Sequence, residues 1–229
     1  MNWQKNTTVE NLELMLIMGS EKKGKNENRC ESIRKTLSLE STSIDQLRDC
    51  LSDEIIENVI DELVNCTGKI VFSGCGTSGE ACKKIVHTFS CVNCGAFFLS
   101  PSAGLHGGLG VLNKSDIVVL ISKGGHTSEI DKMLPIIKAK GSKIIAVTEN
   151  KDSYLAKNST ILLKTPKVHE AGEYSVLATS STIVVIALFD AIAIEIGKMK
   201  GFSLEEFAII HPEGAVGLTL ASNNSTTVN

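Results

Sequence analysis

From Lys69 onward the chain repeats one unit: a short continuous apolar run, a turn rich in glycine and hydroxyl residues, and then apolar positions at helical spacing. The five runs are Ile70-Val71-Phe72, Ala96-Phe97-Phe98-Leu99, Ile117-Val118-Val119-Leu120-Ile121, Lys143-Ile144-Ile145-Ala146-Val147 and Thr160-Ile161-Leu162-Leu163. Runs this short that do not alternate with polar residues suit strands buried on both faces, which requires helices on both sides of a parallel sheet. The expected fold is therefore α/β: a doubly wound five-stranded parallel sheet flanked by helices, with right-handed crossovers. Helices are expected from Ser78, acting as the cap, to about Cys91, from Ser128 to Lys140, from Ser180 to Met199 and from Ser203 to Ile210.

Before the first run, residues 29–66 form an N-terminal helical extension. Ser52-Asp53-Glu54 opens its last helix, and Ile55, Ile56, Val59, Ile60, Leu63 and Val64 recur on one face. Residues 1–28 are mostly polar and read as a flexible segment with a short helix over Glu10 to Met18; residues 218–229 read as a flexible tail. The folded domain is thus expected over 29–217. A chain of 229 residues with 42% hydrophobic content can bury one such core. Its most apolar stretch, Ile183 to Ile196, is interrupted by Asp190 and Glu195, so it reads as a core helix and not a membrane span. The net charge of −3 gives no electrostatic reason to expect nucleic acid. The first residues are not followed by the apolar core of a secretory signal. An odd count of seven cysteines suggests reduced thiols in a cytoplasmic protein, and the lone Cys91-x-x-Cys94 pair has no companion motif to complete a zinc site.

Parallel sheets of this kind bind ligands beyond the carboxyl ends of their strands. That directs attention to loops 74–79, 100–109, 122–128, 148–153 and 165–179. Gly74-Cys75-Gly76-Thr77-Ser78-Gly79 offers close backbone approach and the free N–H groups of a helix start, which suit an anion. It has neither the Lys-Ser/Thr ending of a P-loop nor a full dinucleotide fingerprint. Ser122-Lys123-Gly124-Gly125-His126-Thr127-Ser128-Glu129 repeats the arrangement after the third run and adds cationic groups. Two such loops on one sheet edge are more specific than either alone.

Taken together, GCGTSG (74–79), FFLSPSAGLHGGLG (97–110), SKGGHTSEI (122–130), HEAG (169–172), LATSST (177–182) and GFSLEEFAIIHPEGAVG (201–217) resemble the SIS (sugar isomerase) family. The similarity is greatest to its arabinose-5-phosphate isomerase branch and covers about residues 30–217. The regulatory CBS repeats often found after the domain in that branch are not expected here. The resemblance implies a sugar-phosphate aldose–ketose isomerase that needs no cofactor and no metal. It implies a cytoplasmic homotetramer with sites at subunit interfaces. Gly76, Thr77, Ser78, Ser122, Thr127, Ser180 and Ser181 would hold the substrate phosphate, and Glu129, Glu170, His106 and His211 would form the catalytic set. The branch usually has Lys where Thr77 stands, Ser at Gly124 and Glu at His126. A non-catalytic, sugar-phosphate-binding regulatory protein is the alternative, because SIS domains also occur in transcriptional regulators.

Isomerisation through an enediolate needs a base for the carbon-bound proton and a group that stabilises the oxyanion. Glu170 or Glu129 is expected as the base, with the other orienting the sugar hydroxyls, and burial is expected to raise the working carboxylate toward neutrality. His106 and His211 would assist ring opening or polarise the carbonyl.

Overall fold

The computed structural model describes residues 28–213. The expected helix over Glu10 to Met18 and the tail from 218 onward lie outside them. Two compact units divide at Leu37 and Ser38. Of the first, the described part is the opening of helix α1 (Arg29–Cys50).

The second unit is the expected doubly wound domain. Helix α2 (Asp53–Val64) leads into β1 (Ile70–Gly74), α3 (Gly76–Cys91), β2 (Ala96–Phe98) and α4 (Pro101–Leu105). A 3-10 turn (Gly108–Val111) precedes β3 (Ile117–Ile121), α5 (Ser128–Ala139), β4 (Lys143–Thr148), α6 (Tyr154–Lys157), β5 (Ile161–Lys164), α7 (Ser180–Met199) and α8 (Leu204–Ile210). The strands pair in parallel in the order β2-β1-β3-β4-β5. The chain winds outward from β1 to β2, then returns to place β3 on the other side of β1. The loops after β1 and β3 therefore diverge at the switch point, where such sheets hold their ligands.

Side-chain alternation along the strands feeds two cores. Phe72, Val119 and Val147 point to the face covered by α2, α3 and α7. Val71, Val118, Leu120 and Ala146 point to the face covered by α5 and its neighbours. On the first face three fully buried rings meet: Phe72 lies 5.2 Å, centroid to centroid, from both Phe89 and Phe189, edge to face in each case. Truncating the ring at the centre of α7, Phe189→Ala, is expected to cost about 3–5 kcal/mol, read as a lowered urea midpoint with an unchanged m-value. Among the described residues α7 alone is long and apolar enough to cross a membrane; half of it is buried, with Val184, Leu188, Phe189, Ile192 and Ile196 in the first core.

Helix starts differ from expectation in one place that matters. α3 begins at Gly76, so Ser78 lies inside its first turn and does not cap it; the capping position is Cys75, which makes no side-chain bond. The third glycine of that loop, Gly79, lets the helix press against the strand: a Cβ there would stand 2.7 Å from the Gly74 carbonyl oxygen. Short α4 falls in the stretch 100–109 expected to be a loop, and short α6 follows directly on the expected loop 148–153; each is started by a serine cap, Ser100 and Ser153. Ser203 caps α8 through a reciprocal pair with Glu206.

Candidate active site

Beyond the carboxyl ends of β1, β3, β4 and β5 lies a small cleft, and the start of α7 forms one wall. Its polar lining comes from Ser78, Lys123, Glu149, Thr165, Ser181 and Thr182, and its apolar floor from Ile121, Val147 and Val184. The strand ends supply the floor because their inward residues are already committed to the core. The polar groups come from the turns that follow.

Glu170 organises the far wall. Its side chain is only 4% exposed, and every oxygen is engaged. Lys123 Nζ donates to Oε1 at 2.6 Å and the Ser181 hydroxyl donates to the same atom. The backbone N–H groups of Thr179 and Ser181 donate to Oε2 at 2.9 and 3.2 Å. Those are orphan donors at the start of α7, where no side chain of the capping residue Thr179 does this job. The expectation that burial would raise this carboxylate is corrected. Burial does push it up, but the hydrogen bonds from Lys123, Ser181 and the two backbone amides outweigh it and bring it down to about 2. Glu170 is held firmly ionised. With the bond from Ala171 N to Thr179 Oγ1 at 2.9 Å, it also closes the base of the exposed loop 172–177.

Turn chemistry fixes the second loop. Ser122 Oγ and Thr127 Oγ1 lie 2.8 Å apart, and Ser122 Oγ accepts the Gly125 N–H at 3.2 Å. These two hydroxyls, expected to face phosphate, are engaged in shaping the turn. The loop is tied to its neighbour after β4: the Lys123 carbonyl accepts from the Thr148 hydroxyl at 2.8 Å and from the Glu149 N–H at 3.1 Å.

The remaining expected residues fall in several places. Ser78 and Ser181 line the cleft; Ser180 is fully buried beside it, its hydroxyl without a partner. Gly76 and Glu129 line a second, more open depression between β1 and β2, together with Cys75, Ser100 and Ser102, and Thr77 is exposed on the first turn of α3. Glu129 thus borders a different depression from Lys123 and Ser181, the partners of Glu170; burial, reinforced by the charge of Glu129, pushes the Cys75 thiol up. His106 ends α4 and is exposed. His211 stacks on Phe207 with ring centroids 3.9 Å apart, and its Nε2 lies 3.3 Å from Cys91 Sγ at the last residue of α3. Since Ser78 and Ala81 of α3 line the cleft and His211 meets the other end of that helix at Cys91, His211 stands roughly 15–20 Å along the helix from this chain's own cleft. Cys94 is buried, and all seven cysteines are free. Among the described residues no three His, Cys, Asp or Glu side chains gather as for a metal ion.

A five-stranded parallel sheet with one charged, hydroxyl-lined cleft at its switch point defines a doubly wound small-ligand-binding α/β domain. Its lineage follows from sequence: residues 62–195 match the SIS domain, and the chain belongs to that family. It is 37% identical over 196 residues to the arabinose 5-phosphate isomerase KdsD of Francisella tularensis, covering 84% of this chain and 58% of that protein. The chain accordingly spans about 58% of the length of the curated relatives it matches. A crystal structure of a proposed sugar-phosphate isomerase from Listeria monocytogenes superposes with a TM-score of 0.79 at 42% identity, covering 83% of this chain and all of that one. A structure from E. coli CFT073 in complex with arabinose 5-phosphate superposes with a TM-score of 0.78 at 31% identity, covering 82% of this chain and all of that one.

Two cleft residues do not stand out from the sequence as site residues. Lys123 reads there as a cation of its loop that could replace, from another direction, the branch's lysine at the position of Thr77, and Glu149 carries no signal of its own, although loop 148–153 is one of those marked for chemistry. Nothing in the local sequence around Glu149 sets it apart from a solvated loop carboxylate.

Proposed function

We propose that this chain is a sugar-phosphate aldose–ketose isomerase of the arabinose-5-phosphate type, working in the cytoplasm as a homotetramer with sites at subunit interfaces. The observation that carries the proposal is the convergence of Ser78, Ser181 and the Lys123–Glu170 ion pair on one cleft at the switch point. A phosphate would take donors from Ser78, Ser181 and the first turns of α3 and α7, with Gly76, Thr77, Ser122, Thr127 and Ser180 shaping or extending that cradle. The Lys123 ammonium then lies where negative charge develops on the sugar oxygens. Glu170, already saturated with donors, orients Lys123 and the sugar. Glu129, His106 and His211 are not among the residues lining this chain's cleft, and in this reading they serve the reaction from its rim or from a neighbouring copy. Ile194, Met199, Leu204 and Ile209 are more than half exposed on α7, its end and α8, and this apolar surface supports burial between copies.

The test is to incubate the protein with a panel of pentose and hexose phosphates and follow aldose–ketose conversion by NMR. Conversion of arabinose 5-phosphate to its ketose is expected. Saturable binding across the panel with no conversion would replace the isomerase by a sugar-phosphate-sensing regulatory domain.

A further inference from the structure

Glu149 lines the main cleft and Glu170 stands behind its Lys123 and Ser181, and the two carboxylates differ in what they can still accept. A carboxylate offers about four lone-pair sites. On Glu170 these are taken by Lys123 Nζ, Ser181 Oγ and the backbone amides of Thr179 and Ser181, with the Thr179 hydroxyl a further 3.4 Å contact. Glu149 is the opposite case. Its Oε2 is shielded from solvent and has no hydrogen-bond partner, although its residue lines the cleft. A buried oxygen left unpaired costs free energy, and a site that keeps one has a use for its acceptor capacity. Its position is also fixed: the Glu149 N–H donates to the Lys123 carbonyl, so the two side chains spring from bonded neighbours into one cleft.

We propose that Glu149 is the proton-transfer residue of this cleft, an assignment that rests on the isomerase reading. In the open-chain aldose phosphate the Glu149 carboxylate takes the proton from C2. The C2–H electron pair becomes the C1=C2 double bond, and the carbonyl π pair moves to O1 as the enediolate oxygen, which Lys123 stabilises. The carboxylic acid so formed returns its proton to C1. The O2–H proton passes to O1, the electron pair of the double bond forms the new C1–H bond, and C2 becomes the carbonyl. No atom or electron is gained or lost, and Glu149 ends as it began. This divides the labour between a free carboxylate that moves the proton and a saturated one that holds the cation.

The experiment compares the full chain with Glu149→Gln and Glu149→Asp, using arabinose 5-phosphate in deuterated water. The unmodified chain is expected to interconvert the sugars and to place solvent deuterium on carbon. Glu149→Gln is expected to lose at least about 100-fold in kcat, with KM changed by less than about threefold, and to lose deuterium incorporation in parallel. Its unfolding midpoint should match that of the parent, and Glu149→Asp should recover part of the rate. If Glu149→Gln keeps more than about a tenth of the parent's turnover, the assignment is overturned while the isomerase reading stands. If the unmodified chain converts none of the sugar, the isomerase reading itself falls, and the role of Glu149 falls with it.

Discussion

Glu170→Gln is expected to lower turnover of a sugar phosphate about 100-fold, the scale on which a preorganised charge-stabilising contact acts. Glutamine keeps the shape of the side chain but replaces one oxygen by an NH2 donor. Set against Lys123 Nζ, Ser181 Oγ or the amides of Thr179 and Ser181, that donor meets other donors. Lys123 loses its partner and leaves the cleft wall. The same change is expected to destabilise the fold, because Glu170 is depressed from an ordinary 4.5 to about 2. Lys123 is partly exposed and its attraction is screened, so the contribution is on the order of 2–3 kcal/mol. A carboxylate with a depressed folded-state value contributes fully above its unfolded value and loses that contribution as pH falls through the folded one. The parent should therefore lose stability between about pH 4.5 and 2, and its advantage over Glu170→Gln should shrink across that window. Urea titrations of both proteins at about pH 7 and about pH 3 measure this. An advantage independent of pH would place the energy of the site elsewhere.

A comparable loss of stability is expected from Gly125→Ala, through a different cause. Gly125 has φ +68° and sits where the loops after β3 and β4 touch. A Cβ there would lie 2.5 Å from Ser153 Cβ and 3.0 Å from Thr148 Oγ1. The left-handed backbone costs about 1–2 kcal/mol in a residue with a side chain, and the overlap costs about 1–3 kcal/mol more. Ser153 cannot simply give way, since it is fully buried and its hydroxyl accepts the Ala156 N–H to start α6. For a chain of this size, the midpoint of thermal unfolding should fall by roughly 10 °C. Turnover measured below that midpoint should fall as well, because the same contact fixes Lys123 beside Glu149. A midpoint within error of the parent would mean that the β3 loop can adopt another turn.

The sheet was legible because burial on both faces leaves a direct trace: five apolar runs, each close to its observed strand, with turn residues between them. Helix starts were less legible. Ser78 has the chemistry of a cap, but the left-handed Gly76 begins the helix two residues earlier. Within the site, the residue types were readable and their couplings were not. Glu170 looked like a carboxylate raised by burial; what reverses the sign is Lys123, 47 residues away in the chain, and two amides at the start of α7. Pairing Glu129 with Glu170 was natural from their flanking motifs, yet α5 carries Glu129 to the depression beside β2, whereas the turn after β4 brings Glu149 to the main cleft. Such proximity depends on strand order and loop-to-loop bonds, which no local pattern records.

Residues 172–177 form a lariat whose knot is tied by the carboxylate of Glu170 and the hydroxyl of Thr179. Because the ends are cinched independently of what lies between them, the length of this stretch is a nearly free variable: doubling a flexible loop adds only about 0.6 kcal/mol of closure entropy. Variety can thus be grafted into this exposed stretch, by natural drift or by an engineer, without disturbing either the Lys123–Glu170 ion pair or the long apolar helix that starts from the same knot.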